Sequence, residues 1–497
     1  MAVRFVDVAE AVAAIPDGAT VATDGFSLMG VAEAVFAGIE TSYRASGRPR
    51  DLTMVHASGQ SNGLVGFEHF AVDGLMRRVV GSHWGLMPKM SAFLGENRAE
   101  AVCLPQGQVA ALYRAIAAQR PGVVTRIGLG TFIDPLLGGG KINQAARDAA
   151  PDYVQRLTIG GEDFLLYESF PIHVGVIRAT SVDGVGNCTQ EEEAVTLDAL
   201  ALAQAVHNSG GIVICQAKRQ VPTGSLEPKQ VVVPGCLVDL VVIAPEPEHQ
   251  HRQTDSCDFD SRYLSPPARV ADTEPVGRSN ATRLAIGRRA VQFVRRGDVI
   301  NIGTGIPGDT VGPALAEAAM LDAVTLTVES GTYGGVPAGG ADFGIAAGPY
   351  AIISHASQFD FYDGGGLDAT FMGAGQVDRL GNVNVSVLGS RVIGCGGFVD
   401  ITQSAKRVYF CFTFGGRHRK FVESVDHLTF SASQALLSGQ EVYYVTERAV
   451  FKLHADGLAL IEVAPGFDAR ADVVDHLPFP VELALETDAS SVAEATP

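Results

Sequence analysis

The chain is short of charge and of organised cysteine. Charged residues make up 19% of it, and 55 acidic residues against 37 basic ones give a formal net charge of −18. An acidic surface of this kind argues against nucleic acid as the main partner, while leaving room for a local basic pocket. The seven cysteines, at positions 103, 188, 215, 236, 257, 395 and 411, contain no Cys-x-x-Cys pair. A dispersed, odd set in a large chain reads as reduced thiols of a cytoplasmic protein. There is no apolar run of roughly 18 residues, and no long apolar segment behind a basic start, so neither a membrane span nor a signal peptide is expected. Metal is not expected either. His249, His251, Asp255 and Cys257 are ligand types, but their spacing matches no standard zinc signature.

What is present fits an α/β protein with a largely parallel sheet. The 497 residues exceed what one core holds, 46% are hydrophobic, and the 57 glycines cluster at the ends of predicted strands. Residues 8–14 pattern as a helix, 19–23 as a strand, 25–30 as a loop, 31–43 as a helix and 51–57 as a strand. Alternation of this kind builds parallel sheets. The order returns later: helix 283–294, strand 299–302, loop 303–308, helix 311–320, strand 322–328. A second anchor repeats too, Asp183-Gly-Val-Gly-Asn187 against Asp378-Arg-Leu-Gly-Asn382. Two anchors in one order point to duplication of an α/β unit. The expected organisation is an N-terminal α/β domain over 1–245, a polar linker over 246–279, a C-terminal α/β domain over 280–485 and a flexible tail over 486–497.

The chemistry is expected at Glu329. The run Val324 to Val328 ends in this one carboxylate, and Gly331, Gly334, Gly335 and Gly339 follow, with Pro337 among them. A charge at the end of a buried strand is unfavourable unless paired or used. Glycines let backbone N–H groups approach a ligand. A carboxylate facing such a loop suits a nucleophile beside an oxyanion site. In the first half, Ala57-Ser58-Gly59 stands where Glu329-Ser330-Gly331 stands in the second, so only the second half carries the nucleophile. The loop Gly394-Cys-Gly-Gly397 offers N–H donors from another side. Gln106 and Arg178 are weaker candidates for substrate contact, Arg178 having a structural ion pair as its alternative. Thr189 and Glu192 have capping-box spacing and are expected to open a helix running to about His207. The glycine-rich stretch 128–143 meets neither nucleotide fingerprint, and its Lys141 is either a phosphate contact or a solvated side chain.

Glu329-Ser-Gly331, Gly334-Gly-Val-Pro-Ala-Gly339, Gly373-Ala-Gly-Gln-Val-Asp378 with Gly381-Asn382, and Gly394-Cys-Gly-Gly397 together resemble the family I CoA-transferases. The likeness is strongest to the single-chain acetate/propionate (short-chain acyl) branch. In the first half, Gly128-Leu-Gly-Thr-Phe-Ile-Asp-Pro135, Gly139-Gly-Lys141, Arg178-Ala-Thr and Asp183-Gly-Val-Gly-Asn187 agree, and the resemblance runs from about residue 5 to 470. It implies two similar open α/β/α domains fused in one chain, with the active site in the cleft between them. It implies CoA transfer between an acyl-CoA and a short-chain carboxylic acid through a glutamyl-CoA thioester on Glu329. The N–H groups of Gly396 and Gly397 are then oxyanion donors, and Gly331, Gly334, Gly335, Gly339 and Asn382 bind CoA. CoA is a substrate, so no permanently bound cofactor or metal is expected. A homo-oligomer, dimer or tetramer, is the general expectation for such a chain. Two rival readings share these residues: an acyl-CoA hydrolase on the same fold, and a non-catalytic protein that binds CoA metabolites.

Overall fold

The computed structural model describes residues 3–267, 280–415 and 419–485. The expected tail, 486–497, and the end of the expected linker, 268–279, lie outside the described residues. The chain is an α/β protein that packs as two compact units. Among the described residues, the first comprises 3–267, 326–366 and 386–404, and the second 280–325, 367–385, 405–415 and 419–485. Glu329 and the Gly394–Gly397 loop, both from the second sequence half, therefore belong to the first unit.

The first unit is built on a parallel sheet. Its strands run in the order Arg4–Phe5, Leu240–Ile243, Ile212–Val221, Val174–Asp183, Thr20–Thr23, Leu52–His56, Met76–Gly81, Glu100–Cys103. Every neighbouring pair is parallel. Parallel neighbours need crossover connections, and the helices Glu33–Ser46, Pro88–Gly95 and Ala199–Asn208 are among the elements that provide them. Val174–Asp183 is buried along its whole length, as a strand covered on both faces must be. From Thr20–Thr23 the chain steps outward one way as far as Glu100–Cys103, then resumes on the other side of Thr20–Thr23 with Val174–Asp183. That reversal is a topological switch point. Open parallel sheets place ligands beyond the carboxyl ends of strands at such points, and the residue after Thr23 is Asp24.

The second unit has its own sheet. Val299–Ile302, Ala369–Met372, Arg407–Cys411 and Glu441–Val445 are parallel. Ala449–His454 and Gly457–Val463 continue it antiparallel, and Glu482–Leu483 lies parallel at the edge. The duplicated anchors fold alike. In one turn, the N–H groups of Val185 and Asn187 donate to Asp183 Oδ1, both at 3.0 Å, and Asn187 Nδ2 donates to Asp183 Oδ2 at 3.1 Å. In the other, Leu380, Asn382 and Asp378 make the same bonds at the same distances.

Three local expectations change. The helix expected from Val311 begins at Ile306, with Pro307 in its first turn. Gly303-Thr-Gly305-Ile-Pro-Gly308 thereby has dinucleotide-motif spacing between a strand and a helix, where a loop is expected from sequence. The helix expected from Thr189 starts ten residues later, at Ala199. Glu191, Glu192 and Glu193 instead pair with Arg219, with Lys218 and Arg219, and with Arg178, because cations on neighbouring strands satisfy a carboxylate better than a helix start does. Finally, the start of the polar stretch 246–267 is packed: His251, Gln253 and Thr254 are buried. Among the described residues no helix is long and apolar enough to cross a membrane.

Candidate active site

Glu329 follows the strand Thr325–Val328 and is 8% exposed. The chain turns at once and returns as Thr332–Tyr333, antiparallel to the strand it left, with Ala351–Ile352 pairing on the far side. The glycines here serve this hairpin. Gly331 N–H donates to Val328 at 3.0 Å and Gly334 N–H to Leu326 at 2.7 Å. A Cβ on Gly334 would lie 2.3 Å from the Tyr350 ring, and one on Gly335 2.5 Å from the Ala347 carbonyl. Gly339 is extended backbone ahead of the short turn Gly340–Asp342. The expectation of an open cradle of N–H groups is corrected for Gly331 and Gly334, whose amides are committed inside the hairpin. Ser330 Oγ donates to the Gly344 carbonyl and pins the turn.

The second wall of the site comes from the first residue of the helix Gln106–Ala117. Gln106 N–H donates to the Gly396 carbonyl at 3.0 Å, and its side-chain Nε2 lies 2.8 Å from Nε2 of His355. The Gly394–Gly397 loop rests on the residues that follow the strand Met76–Gly81: Trp84 N–H donates to Ile393 at 2.6 Å and Gly396 N–H to Ser82 at 2.8 Å. Gly396 was expected to offer that N–H to an oxyanion. In this arrangement it is already bonded, because the loop must pair with residues 82–84 to hold its place. Gly397 leads into the helix Phe398–Ser404, its carbonyl accepting from Ile401 at 2.9 Å. Of the expected pair it is the one without a bond to the Ser82 backbone.

Gln106 meets a line of buried polar groups that the sequence does not single out. His355 Nδ1 is 2.6 Å from Asp198 Oδ2, and Asp198 N–H donates to Asp24 Oδ1 at 3.2 Å. Burial, reinforced by the Asp198 charge, pushes the Asp24 carboxyl up to about 8, so it keeps its proton at neutral pH. Burial alone would lower His355. The Asp198 charge and its hydrogen bond to the ring, with the Glu329 charge adding, overcome that and raise it. That Glu329 acts on the ring places the nucleophile candidate within electrostatic reach of this line. The Phe359 ring at 5.2 Å and the Phe26 ring at 6.5 Å wall the imidazole. A second acid pair hangs from the same helix start. Gln108 Nε2 donates to Asp363 at 2.7 Å and to Asp400 at 2.9 Å. Burial pushes Asp400 up to about 7 and Asp363 well above its usual range, the neighbouring carboxyl adding to the second.

The remaining expected residues have other occupations. Arg178 is 2% exposed and pairs with Glu193, while its other N–H groups donate to the carbonyls of Val31 at 3.1 Å and Arg252 at 2.9 Å. Its guanidinium and the His251 ring hold Glu193 down at about 2 against the opposing effect of burial. Arg178 is thus the structural ion pair rather than a substrate contact. Asn382 holds the Asp378 turn and accepts from Ala432 at 3.0 Å, so both ends of its amide are used within the second unit. Lys141 pairs with Asp152 at 2.7 Å.

Comparison with known proteins places this arrangement. Residues 5–244 match the family model described as Coenzyme A transferase. The chain is 38% identical to a caffeate CoA-transferase of Acetobacterium woodii, over 96% of this chain and 94% of that one. It is 36% identical to the acetate CoA-transferase YdiF of Escherichia coli K12, over 95% and 91%. Among solved structures, the YdiF apoenzyme of E. coli O157:H7 superposes with a TM-score of 0.90 at 34% identity, covering 97% of this chain and 95% of that one. The YdiF thioester complex with CoA superposes with a TM-score of 0.88, covering 97% and 94%, at 34% identity.

Proposed function

The chain belongs to the coenzyme A transferase family, and from that premise we propose that it moves CoA from an acyl-CoA to a free short-chain carboxylic acid through a thioester on Glu329. The observation that carries the reading is the place of Glu329: a buried carboxylate at a strand end, in a turn held rigid by its own hairpin, within electrostatic reach of His355, whose ring meets Gln106. The thioester complex with CoA known for YdiF supports the same route.

The steps balance without ATP, metal or a resident cofactor. A Glu329 carboxylate oxygen attacks the acyl-CoA carbonyl carbon, the C–S bond breaks, and CoA leaves as thiolate with a mixed anhydride on the enzyme. The thiolate attacks the glutamyl carbonyl carbon, and the acyl group leaves as a free carboxylate. Enzyme-bound glutamyl-CoA remains. A second carboxylate reverses these steps and takes the CoA. Each addition puts negative charge on a carbonyl oxygen and needs donors aimed there; Gly397 N–H and the Gln106 amide are the candidates. Burial keeps water from the anhydride and thioester, which hydrolysis would waste. Phe26 and Phe343, with ring centroids 5.9 Å apart, form an apolar wall beside His355 suited to a small acyl group. On this reading the protein works in the cytoplasm as a homo-oligomer, a dimer or tetramer.

The test is peptide mass spectrometry after brief incubation with acetyl-CoA and no acceptor. A CoA-sized adduct on the peptide containing Glu329, removed by acetate or hydroxylamine, is the expected result. Steady hydrolysis of acetyl-CoA with no adduct would overturn the reading in favour of a hydrolase.

A further inference from the structure

Gln106 has a carboxamide, and its two ends are chemically opposite. Nε2 donates and Oε1 accepts. In the structure Nε2 faces the ring at 2.8 Å, which is the pairing of a neutral imidazole: Nδ1–H donates to Asp198, and the Nε2 lone pair accepts from the amide. The other end, Oε1, then turns toward Gly396, where it would lie 3.7 Å from an added Cβ. A charged imidazole carries N–H on both nitrogens. It repels an amide N–H and requires Oε1, so the carboxamide turns by half a rotation and its NH2 faces Gly396. The Gly396 N–H is bonded to Ser82, so a donor is wanting at that point of the site.

We infer that His355, held by Asp198 and Asp24, is a positioning residue that sets which end of the Gln106 carboxamide faces the reacting centre, and that transfer runs in the form with both imidazole nitrogens protonated. The inference rests on the transferase reading above and deepens it. The groups around the ring support that form. Asp198 faces it from the start of the helix Ala199–Asn208, Asp24 from the end of the strand Thr20–Thr23, and Glu329 from the end of Thr325–Val328. Asp400, in the helix Phe398–Ser404, feels the ring charge in turn. Tyr113, in the Gln106–Ala117 helix, faces Asp198 and Asp24 and is raised well above its usual range by burial, so it stays neutral. The carboxylates of Asp198 and Glu329 favour a cation at His355, and the rings of Phe26 and Phe359 keep water from competing for it. With the ring charged, the Gln106 NH2 supplies the donor an oxyanion needs.

The experiment is the pH dependence of acetyl-CoA to propionate transfer for the wild type, His355→Gln and Asp198→Asn, with the Glu329 adduct followed by mass spectrometry. In the wild type, kcat is expected to hold a plateau at low pH and fall tenfold per pH unit above the ring's titration, with the KM for acetyl-CoA flat. His355→Gln, which does not titrate, is expected to lose that limb and lower kcat by roughly 10 to 100-fold. Asp198→Asn removes a negative charge and moves the limb to lower pH. A limb unchanged in His355→Gln, or displaced upward in Asp198→Asn, overturns the inference. Wild-type enzyme that forms no adduct and transfers to no acid overturns the transferase reading itself, a separate result. Should neither variant fold, nitrogen NMR of wild-type enzyme labelled in histidine decides. A buried ring protonated on both nitrogens across the kcat plateau supports the inference, and no such ring there ends it.

Discussion

The two halves of the chain end equivalent strands in different ways. Leu52–His56 runs into Ala57-Ser58-Gly59, and Thr325–Val328 into Glu329-Ser330-Gly331. Both ends are buried, Ala57 at 4% and Glu329 at 8% exposure. One position carries a methyl group that asks nothing of its surroundings. The other carries a charge that burial penalises, and the surroundings answer it with a rigid turn and a histidine. Each end also has a buried histidine nearby, with opposite behaviour. His56 Nδ1 donates to the Ser58 carbonyl at 2.7 Å while its Nε2 accepts from Trp84 at 3.0 Å, so the ring has no acid beside it. Burial carries it down to about 4. His355 is as buried and is raised, because carboxylates face it. Desolvation is common to both, and the sign of the neighbours decides the outcome.

Making the second end like the first is the largest perturbation. Glu329→Ala removes the nucleophile and is expected to reduce transfer by at least about 10³-fold with the unfolding midpoint preserved. Glu329→Asp retracts the carboxylate by one methylene and should also be severely impaired, since reacting atoms must meet within a few tenths of an ångström. Steady-state transfer assays on both variants test this, and near wild-type turnover in Glu329→Ala would erase the distinction between the halves.

The turns that follow separate next. Gly331 has φ +110°, and a Cβ there would lie 2.1 Å from the Ile353 carbonyl oxygen. Gly59 needs no positive φ, and its added Cβ would first meet the His83 ring nitrogen at 2.9 Å. Gly331→Ala is expected to destabilise by about 3 kcal/mol and Gly59→Ala by about 1 kcal/mol, because backbone yields less than a side chain. Urea unfolding of the two variants side by side measures the difference.

The histidines respond to acid. The folded-state pKa of His56 lies below the ordinary value, so its stabilisation is full above about pH 6.5 and is lost as pH falls toward 4. From pH 7 to pH 5 this amounts to about 2 kcal/mol. The slope of urea-unfolding stability against pH should shrink by that amount in His56→Gln. An unchanged slope would mean the ring is not held neutral.

Much of this arrangement is legible from sequence, and the limit is physical. Strand 299–302 and the helix near residue 8 follow from local periodicity. Glu329 stands out because a charge interrupts a β-branched run. The glycines also stand out, but a glycine admitting a ligand and one admitting the chain's own carbonyl look alike in one dimension, and Gly331 and Gly335 lie against such carbonyls, those of Ile353 and Ala347. Gln106 reads equally as a polar contact and as an ordinary turn residue, and becomes central only when Gly396 and His355 are brought to it across 290 and 249 residues of chain. Asp24, Asp198 and His355 share no motif. Their coupling is a product of the sheet's reversal at Thr20–Thr23, which no local pattern announces. An ion pair at Arg178 is legible as an alternative, but its partner Glu193 is not, for a related reason: three consecutive glutamates signal a helix start until the cations of the neighbouring strands are in view.

The smallest expected difference lies in the serines, and it isolates hydrogen bonding from burial. Ser330 Oγ donates to the Gly344 carbonyl, whereas Ser58 Oγ is buried with no hydrogen-bond partner among the described residues. Both are essentially inaccessible, at 0% and 2% exposure. Removing the Ser330 hydroxyl leaves a buried carbonyl unsatisfied and should destabilise by about 1 kcal/mol. Removing the Ser58 hydroxyl takes away a polar atom that burial already penalises, so Ser58→Ala should be neutral or slightly stabilising. The two substitutions delete the same oxygen at equivalent strand ends, so the difference between their urea midpoints reports the bond rather than the oxygen. Ser330→Ala carries a further consequence. The bond it removes fixes the turn that bears Glu329, so kcat should fall by a few-fold while Ser58→Ala leaves it unchanged. Equal effects of the two on kcat would mean that the hairpin alone positions the carboxylate.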